Sequence, residues 1–85
     1  RRVRGEVLAA VRDGHARTAI EDALSGQVRK WKLAKASNGD DGTLLLHYAV
    51  QLKRSGSPDG LSVALQGLQP DGVESVAFQI APEAA

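Results

Sequence analysis

The sequence predicts an α+β domain in which two helices cover one face of a four-stranded antiparallel sheet. Two kinds of pattern support this prediction. Apolar and polar residues alternate with period two through a hairpin between residues 28 and 54 and again near the C-terminal end, and a short apolar run lies near the N-terminal end; both patterns are typical of strands. In the two remaining stretches the apolar residues recur every three or four positions, as in amphipathic helices. The element order is therefore β-α-β-β-α-β.

The first strand is predicted at residues 6–12, an apolar run of the kind found in the interior of a sheet. Residues 13–15 then form the turn into a helix predicted over residues 16–25. The apolar stripe of this helix turns Glu21 to the other side. Gly26 is predicted to end the helix, because glycine readily adopts the conformation that follows a last helical turn.

The central hairpin has one apolar and one mixed face. The turn at residues 38–42, Asn-Gly-Asp-Asp-Gly, joins a strand at residues 30–35 to a strand at residues 43–53. The side chains expected to face the helices are Trp31, Leu33, Leu44, Leu46, Tyr48, Val50 and Leu52. The opposite, open face is expected to carry Lys30, Lys32, Leu45, His47, Ala49, Gln51 and Lys53.

The second helix is predicted to begin with Ser57 as its N-cap and Pro58 at its first position. Its apolar stripe contains Leu61, Ala64, Leu65 and Leu68. The helix is expected to end at residues 70–72, Pro-Asp-Gly, and a last strand follows at residues 73–80. Residues 81–85 are expected to be a disordered tail.

This order is that of the ferredoxin-like fold, the split βαβ arrangement, formed here by a single domain over residues 1–80. Right-handed crossover connections place the first and third strands in the centre of the sheet and the second and fourth at its edges. The strongly alternating third strand is then central, which agrees with its apolar face.

Composition narrows the functional classes. A formal net charge of +1 favours neither a nucleic acid nor an acid-rich partner, and the absence of cysteine excludes disulfides and thiolate chemistry. The apolar runs are far shorter than the roughly 20 residues that span a bilayer. Because the chain has no methionine, we expect it to be one domain of a longer polypeptide.

The polar residues do not predict an enzyme, a metal site or a cofactor. The two histidines lack the spacing of metal ligands, and no serine has a base nearby in the sequence. Asp40 and Asp41 fit a turn better than a calcium loop, since the EF-hand ligand order is missing. Asp13, Gly14 and His15 form the one candidate ligand site, with an ordinary surface turn as the alternative.

The open face is the candidate interaction surface, through Lys30, Lys32, Leu45, His47, Ala49 and Gln51. Exposed apolar residues between basic ones favour self-association, whereas a purely solvated face is the alternative. A nucleic-acid-binding role through Lys30, Lys32 and Lys53 is the second hypothesis. It ranks below self-association because an RNA-binding sheet would carry aromatic residues on this face, which has none.

Several short segments resemble known families. The turn at residues 11–15, the hairpin end at residues 41–43 and the segment at residues 71–76 resemble those of ACT-type regulatory domains. That resemblance implies an effector site at domain interfaces near the first turn. The strand at residues 42–48 and the basic start at residues 1–4 are similar to the cytoplasmic C-terminal domains of small bacterial membrane proteins, including the MgtC/SapB type.

Taken together, these features predict a non-catalytic regulatory or assembly module that forms homo-oligomers. The resemblance implies a cytoplasmic location, with a tether to the inner membrane through a preceding segment. A small-molecule effector at the first turn is the further expectation.

Overall fold

The computed structural model describes residues 3–81 and confirms the predicted α+β class and element order. The elements are β1 (Arg4–Val11), α1 (Gly14–Gln27), β2 (Val28–Asn38), β3 (Leu44–Leu52), α2 (Pro58–Gln66), a 3₁₀ turn (Gln69–Asp71) and β4 (Val73–Ile80). Residues 82–85 of the predicted tail lie outside the described residues. Ala81 still pairs with the sheet, since its N–H donates to the carbonyl of Arg4 at 2.9 Å.

The sheet has the strand order β2-β3-β1-β4, and all neighbouring strands are antiparallel. Strands β1 and β3 are central, as predicted from right-handed crossovers. Val7 lies opposite both Tyr48 of β3 and Phe78 of β4, so these three side chains share the face that the helices cover. Among residues 3–81, no helix or strand covers the other face of the sheet.

The core lies between the sheet and the two helices. Its fully buried members include Leu46 and Tyr48 of β3 and Ile20 and Leu24 of α1. The expected core residues on the outer strands are only partly buried, namely Trp31, Leu33, Val76 and Phe78. These four residues belong to the edge strands β2 and β4, where the two helices cover the sheet less completely than at its centre.

Helix α1 is longer than predicted at both ends. Asp13 is its N-cap, with Oδ1 accepting from the N–H of Ala16 at 2.9 Å, so the first turn begins at Gly14. At the other end the helix continues through Gly26 to Gln27, and Gly26 does not have a positive φ. The prediction of Gly26 as the terminating residue was wrong, because the buried Val28 follows directly as the first residue of β2.

Helix α2 ends at Gln66, before the predicted stop at Pro70. Proline has no N–H with which to continue the α-helical bonds to the carbonyl four residues earlier. The chain instead forms the 3₁₀ turn and passes through Gly72, whose φ of 97° is in the left-handed region. Leu68, predicted in the helical stripe, follows the helix and packs against the core from there.

Strand β2 extends beyond its predicted bounds and contains two irregularities in its pairing with β3. The register shifts between Val28 and Lys30 and between Leu33 and Lys35. Each shift adds one residue to β2 and changes which residues share a face. As a result Lys35 lies opposite His47 on the open face, although strict alternation from Leu33 would have turned it toward the helices.

A partly buried hydrogen-bond network connects α1 to the sheet. The hydroxyl of Tyr48 donates to Oε2 of Glu21 at 2.7 Å, and Nε of Arg17 donates to the same oxygen at 2.8 Å. Glu21 was expected to face away from the core, and this prediction was wrong. Burial favours the neutral carboxyl, but the two donated hydrogen bonds and the Arg17 charge prevail and lower the pKa of Glu21.

The lowered pKa of Glu21 predicts a pH dependence of stability. A carboxyl whose pKa is lower in the folded state stabilises the fold above its unfolded value of about 4.3. This contribution is lost as the pH falls through the folded value. We therefore expect Glu21→Gln to reduce the free energy of unfolding at pH 7 and to flatten its decrease below about pH 4.3. Urea unfolding between pH 3 and pH 7 measures this.

Asp22→Asn is the matched control, because it removes an exposed carboxyl from the same helix. If Glu21→Gln and Asp22→Asn gave the same pH profile, the stabilising role of the Glu21 network would be contradicted.

Candidate interaction surface

The turn between β1 and α1, which carries the predicted ligand site, is an ordinary helix start. The carboxylate of Asp13 caps the helix, as described above, and that role explains the residue without a ligand. The ring of His15 is exposed, with Nε2 at 4.0 Å from Oδ1 of Asp71. The structure thus brings His15 close to Asp71 of the 3₁₀ turn, and a ligand site here stays a prediction.

The uncovered sheet face contains the predicted interaction residues and several others. Strand pairing places the following side chains on it: Arg4, Glu6, Leu8 and Ala10 of β1, Lys30, Lys32, Lys35 and Ser37 of β2, Leu45, His47, Ala49 and Gln51 of β3, and Ser75, Ala77 and Gln79 of β4. We call this set the open face. Its six predicted members lie together on two neighbouring strands.

The centre of the open face is apolar. Leu8 and Leu45 are each 42% exposed, on the two central strands. They line a shallow groove of about 510 Å³ together with Ala10 and Ala77. Exposed leucines on adjacent strands are unfavourable in water unless another surface covers them.

A polar pair lies beside this apolar centre. Nε2 of His47 is 2.8 Å from Oε1 of Glu6, across the pairing of β1 with β3. Glu6 was not among the residues predicted on this face, because the apolar run around it concealed which side it occupies. The pair satisfies the His47 ring within the domain, and both side chains are partly exposed.

One end of the open face is basic. Where β2 begins, Arg29, Lys30 and Lys32 line a depression of about 620 Å³ together with Arg4. Trp31 also lines this depression, while its ring packs edge-on against Tyr48, with ring centroids 5.6 Å apart. Among the described residues, the lining of this depression contains four cationic side chains and no carboxylate.

Lys53 was predicted on the open face, but its side chain contacts the end of α1. Its Nζ donates to the carbonyl of Gly26 at 3.1 Å, at the C-terminal end of the helix. A cation is favourable there because the last helical carbonyls carry partial negative charge. The prediction for Lys53 was therefore wrong, since β3 ends one residue earlier, at Leu52.

The other end of the open face is acidic. Asp40, Asp41 and Glu74 line a depression next to Leu45. Asp41 holds the hairpin turn, because its Oδ1 accepts from the hydroxyl of Thr43 at 2.7 Å and from its N–H at 3.3 Å. These hydrogen bonds lower the pKa of Asp41. Asp40 and Glu74 are exposed side chains at the same end.

The fold and this surface together define a ferredoxin-like α+β domain with an uncovered, charge-bordered sheet face. The fold is similar to that of the C-terminal domain of the MgtC protein from Mycobacterium tuberculosis, a solution structure. The TM-score is 0.68 at 16% sequence identity, and the match covers 93% of this chain and 87% of the other. This confirms the predicted resemblance in fold.

Comparisons of sequence add no relationship: no family model matches the chain, and no curated protein matches it. Within residues 3–81, no helix is long and apolar enough to cross a membrane. In the same residues, histidine, aspartate and glutamate side chains do not form a group of three suited to a metal ion.

Proposed function

We propose that this domain is a non-catalytic assembly module whose copies associate through the open face. The observation that carries the proposal is the pair of exposed leucines, Leu8 and Leu45, at the centre of a sheet face bordered by charged groups. An apolar centre with a polar rim is the usual anatomy of a protein interface. Helices cover the other side of the sheet, so this face is the one left for a partner.

The size of the face predicts a weak association. The sheet has four strands about 4.8 Å apart, and each strand has about eight residues with a rise of about 3.3 Å per residue. The face therefore measures roughly 500 Å². Stable complexes bury about 800 Å² on each partner, and smaller interfaces belong to weak or transient contacts. We therefore expect a dissociation constant on the order of 100 µM. Tethering of several copies would raise their effective concentration and strengthen the contact.

Leu45→Lys is expected to weaken this self-association at least about tenfold. The substitution removes an apolar contact from the centre of the face and adds a charge there. In a symmetric dimer it also counts twice, since each copy contributes the same surface. Sedimentation equilibrium of the 85-residue chain from about 10 µM to about 1 mM measures the effect, a range chosen to bracket the expected constant.

Val63→Lys is the matched control. Val63 is 73% exposed, more than Leu45, but it lies on α2, on the covered side of the sheet. We expect this variant to associate like the wild-type chain. A wild-type chain that stays monomeric at 1 mM, or equal weakening by both substitutions, would contradict the proposal.

We further propose that the domain is the cytoplasmic C-terminal part of a bacterial membrane protein and that its assembly has a regulatory role. The similarity in fold to the MgtC C-terminal domain supports this placement. The full-length gene product tests it: hydrophobic spans are expected upstream of Arg1. A full-length product without such spans would contradict the placement and leave the self-association proposal intact.

A nucleic-acid-binding role is the second candidate, favoured by the four cations at the basic end. Such binding would be electrostatic and would weaken steeply with salt. Titration with a single-stranded oligonucleotide at about 50 mM salt tests it, and Lys32→Glu should then reduce the affinity. No binding at that salt concentration would exclude this role.

A further inference from the structure

The charges of the open face are separated along the strand direction. Arg4, Lys30 and Lys32 lie toward the end where β2 begins and β3 ends. Asp40 and Glu74 lie at the opposite end, beside the β2–β3 turn. Between these ends lies the apolar groove, whose lining also includes Lys35 and His47, so the basic end, the groove and the acidic end follow one another along the strand direction.

The charged residues at the two ends contribute little to the fold itself. Lys30, Lys32 and Asp40 form no ion pair with any other residue in the range 3–81. Within the same range Glu74 has one loose pair, with Arg12, at 3.8 Å between Nε and Oε2. Glu74 is also the extra residue where the register of β4 shifts against β1. The separation of the basic end from the acidic end can therefore determine how a partner is oriented on this face.

A two-fold axis in the plane of the contact can lie along the strands or across them when two sheets pack face to face in the aligned manner. With the axis along the strands, β2 of one copy lies over β4 of the other, so Lys30 and Lys32 face the uncharged end of β4 while Asp40 faces Glu74, a like charge. With the axis across the strands, each basic end meets an acidic end. Complementary potentials set orientation in this way even where rim charges add little affinity.

We propose that two copies of this chain pack open face to open face about a two-fold axis that runs across the strands. Lys30 and Lys32 of one copy then lie against Asp40 of the other, because this axis keeps β2 of one copy over β2 of its partner and exchanges their ends. Arg4 of β1 lies toward Glu74 in the same arrangement. This inference rests on the proposed self-association. It specifies the partner, a second copy of the chain, and the orientation of that copy.

Reversing the charges at one end or at both ends tests this arrangement. One variant, Lys30→Glu with Lys32→Glu, places carboxylates opposite Asp40 and leaves Arg4 and Arg29 as the cations of that end. A second, Asp40→Lys with Glu74→Lys, places ammonium groups opposite Lys30, Lys32 and Arg4. A third variant combines all four substitutions and keeps the wild-type net charge. Sedimentation equilibrium at about 50 mM salt, where the Debye length exceeds 10 Å, gives the dissociation constant of each.

We expect each one-end variant to associate at least about tenfold more weakly than the wild-type chain. The fully reversed variant should associate like the wild type, because its ends again complement each other. Mixing the fully reversed and wild-type chains should give no tighter complex than either alone. High salt, about 0.5 M, should bring the one-end variants closer to the wild type. Thermal unfolding followed by circular dichroism checks that every variant is folded.

Other results would overturn the inference. If all variants associated like the wild type, charge would not set the orientation, although self-association would stand. If the mixture of wild-type and fully reversed chains were tighter than either alone, the axis would run along the strands. If the wild type were monomeric but bound an oligonucleotide or phosphatidylglycerol vesicles through Lys30 and Lys32, both proposals would fail.

Discussion

Replacement of Gly5 by alanine is expected to lower the free energy of unfolding by about 1–3 kcal/mol, and replacement by valine by more. Gly5 lies on the helix-covered side of the central strand β1, opposite Val50 and Ile80. A Cβ at this position would lie 2.6 Å from the carbonyl oxygen of Gln79 and 2.7 Å from Cζ of Phe78. Both distances are far inside van der Waals contact.

The surroundings of Gly5 leave little room for adjustment. The Gln79 carbonyl belongs to the backbone of β4, and the Phe78 ring lies over the glycine in the space that a side chain would need. A larger residue therefore has to displace the ring, the strand or both. The same reasoning explains why glycine occurs in the interior of a strand, where its flexibility is otherwise unfavourable.

Gly26→Ala is the matched control, with the opposite sign. Gly26 lies within α1 without a positive φ, and a Cβ there would meet nothing within 4 Å. Because alanine favours the helix, this variant should gain about 0.5–1 kcal/mol. Urea unfolding at pH 7 measures both variants. Equal stability of Gly5→Ala and the wild type would contradict the packing described for β1 and β4.

Tyr48→Ala is expected to have the largest effect on stability, a loss of about 3–5 kcal/mol. The side chain is fully buried on the central strand β3, in edge-on contact with Trp31. Truncation removes this contact and also leaves Glu21 without the hydroxyl that donates to it. A domain of this size has little stability in reserve, so the variant should be largely unfolded at 37 °C.

Tyr48→Phe removes the hydroxyl and keeps the ring, so it measures the contribution of the hydroxyl to stability. Burial and the adjacent Glu21 raise the pKa of Tyr48 well above its usual range, so the hydroxyl is a donor at neutral pH. Loss of a hydrogen bond to a charged acceptor costs about 1.5–3 kcal/mol. Circular dichroism during urea unfolding should therefore rank the phenylalanine variant between the wild type and Tyr48→Ala. A phenylalanine variant as stable as the wild type would contradict the network.

Most of the fold could be predicted because a strand or helix with one buried face repeats its apolar residues at the period of that element. The alternation through Leu46, Tyr48 and Val50 defines β3 and its inner face, since polar residues between them remain on the outer one. The helices follow from the same argument at a different period. Strand order then followed from the handedness of the connections, without reference to any particular residue.

The errors have local causes that a repeating pattern does not contain. An added residue in β2 moved Lys35 to the open face, and no residue type in that strand signals such a bulge. Glu21 belongs to the core network only because the Tyr48 hydroxyl reaches it from another element. Contacts between distant residues of this kind depend on the packing of α1 on the sheet.

The candidate surface was predicted in part. The six predicted residues of β2 and β3 lie on the open face, because alternation reports the side of each residue up to the bulge in β2. On β1, Leu8 or Ala10 was expected on the open face, and both lie there, although this central strand is apolar on both faces. The acidic end could not be foreseen, because Glu74 and Asp40 come together only through the pairing of β4, β1 and β3.

The central claim is that the open face of the sheet contacts a second copy, and dilution of the ¹⁵N-labelled chain tests it most directly. Amide resonances recorded from about 1 mM to about 10 µM, concentrations that bracket the affinity expected for so small a face, report where the contact forms. We predict shifts at Leu8, Leu45 and His47, with α1 and α2 unchanged. Resonances that do not move with concentration, or that move only on the helices, would contradict this account.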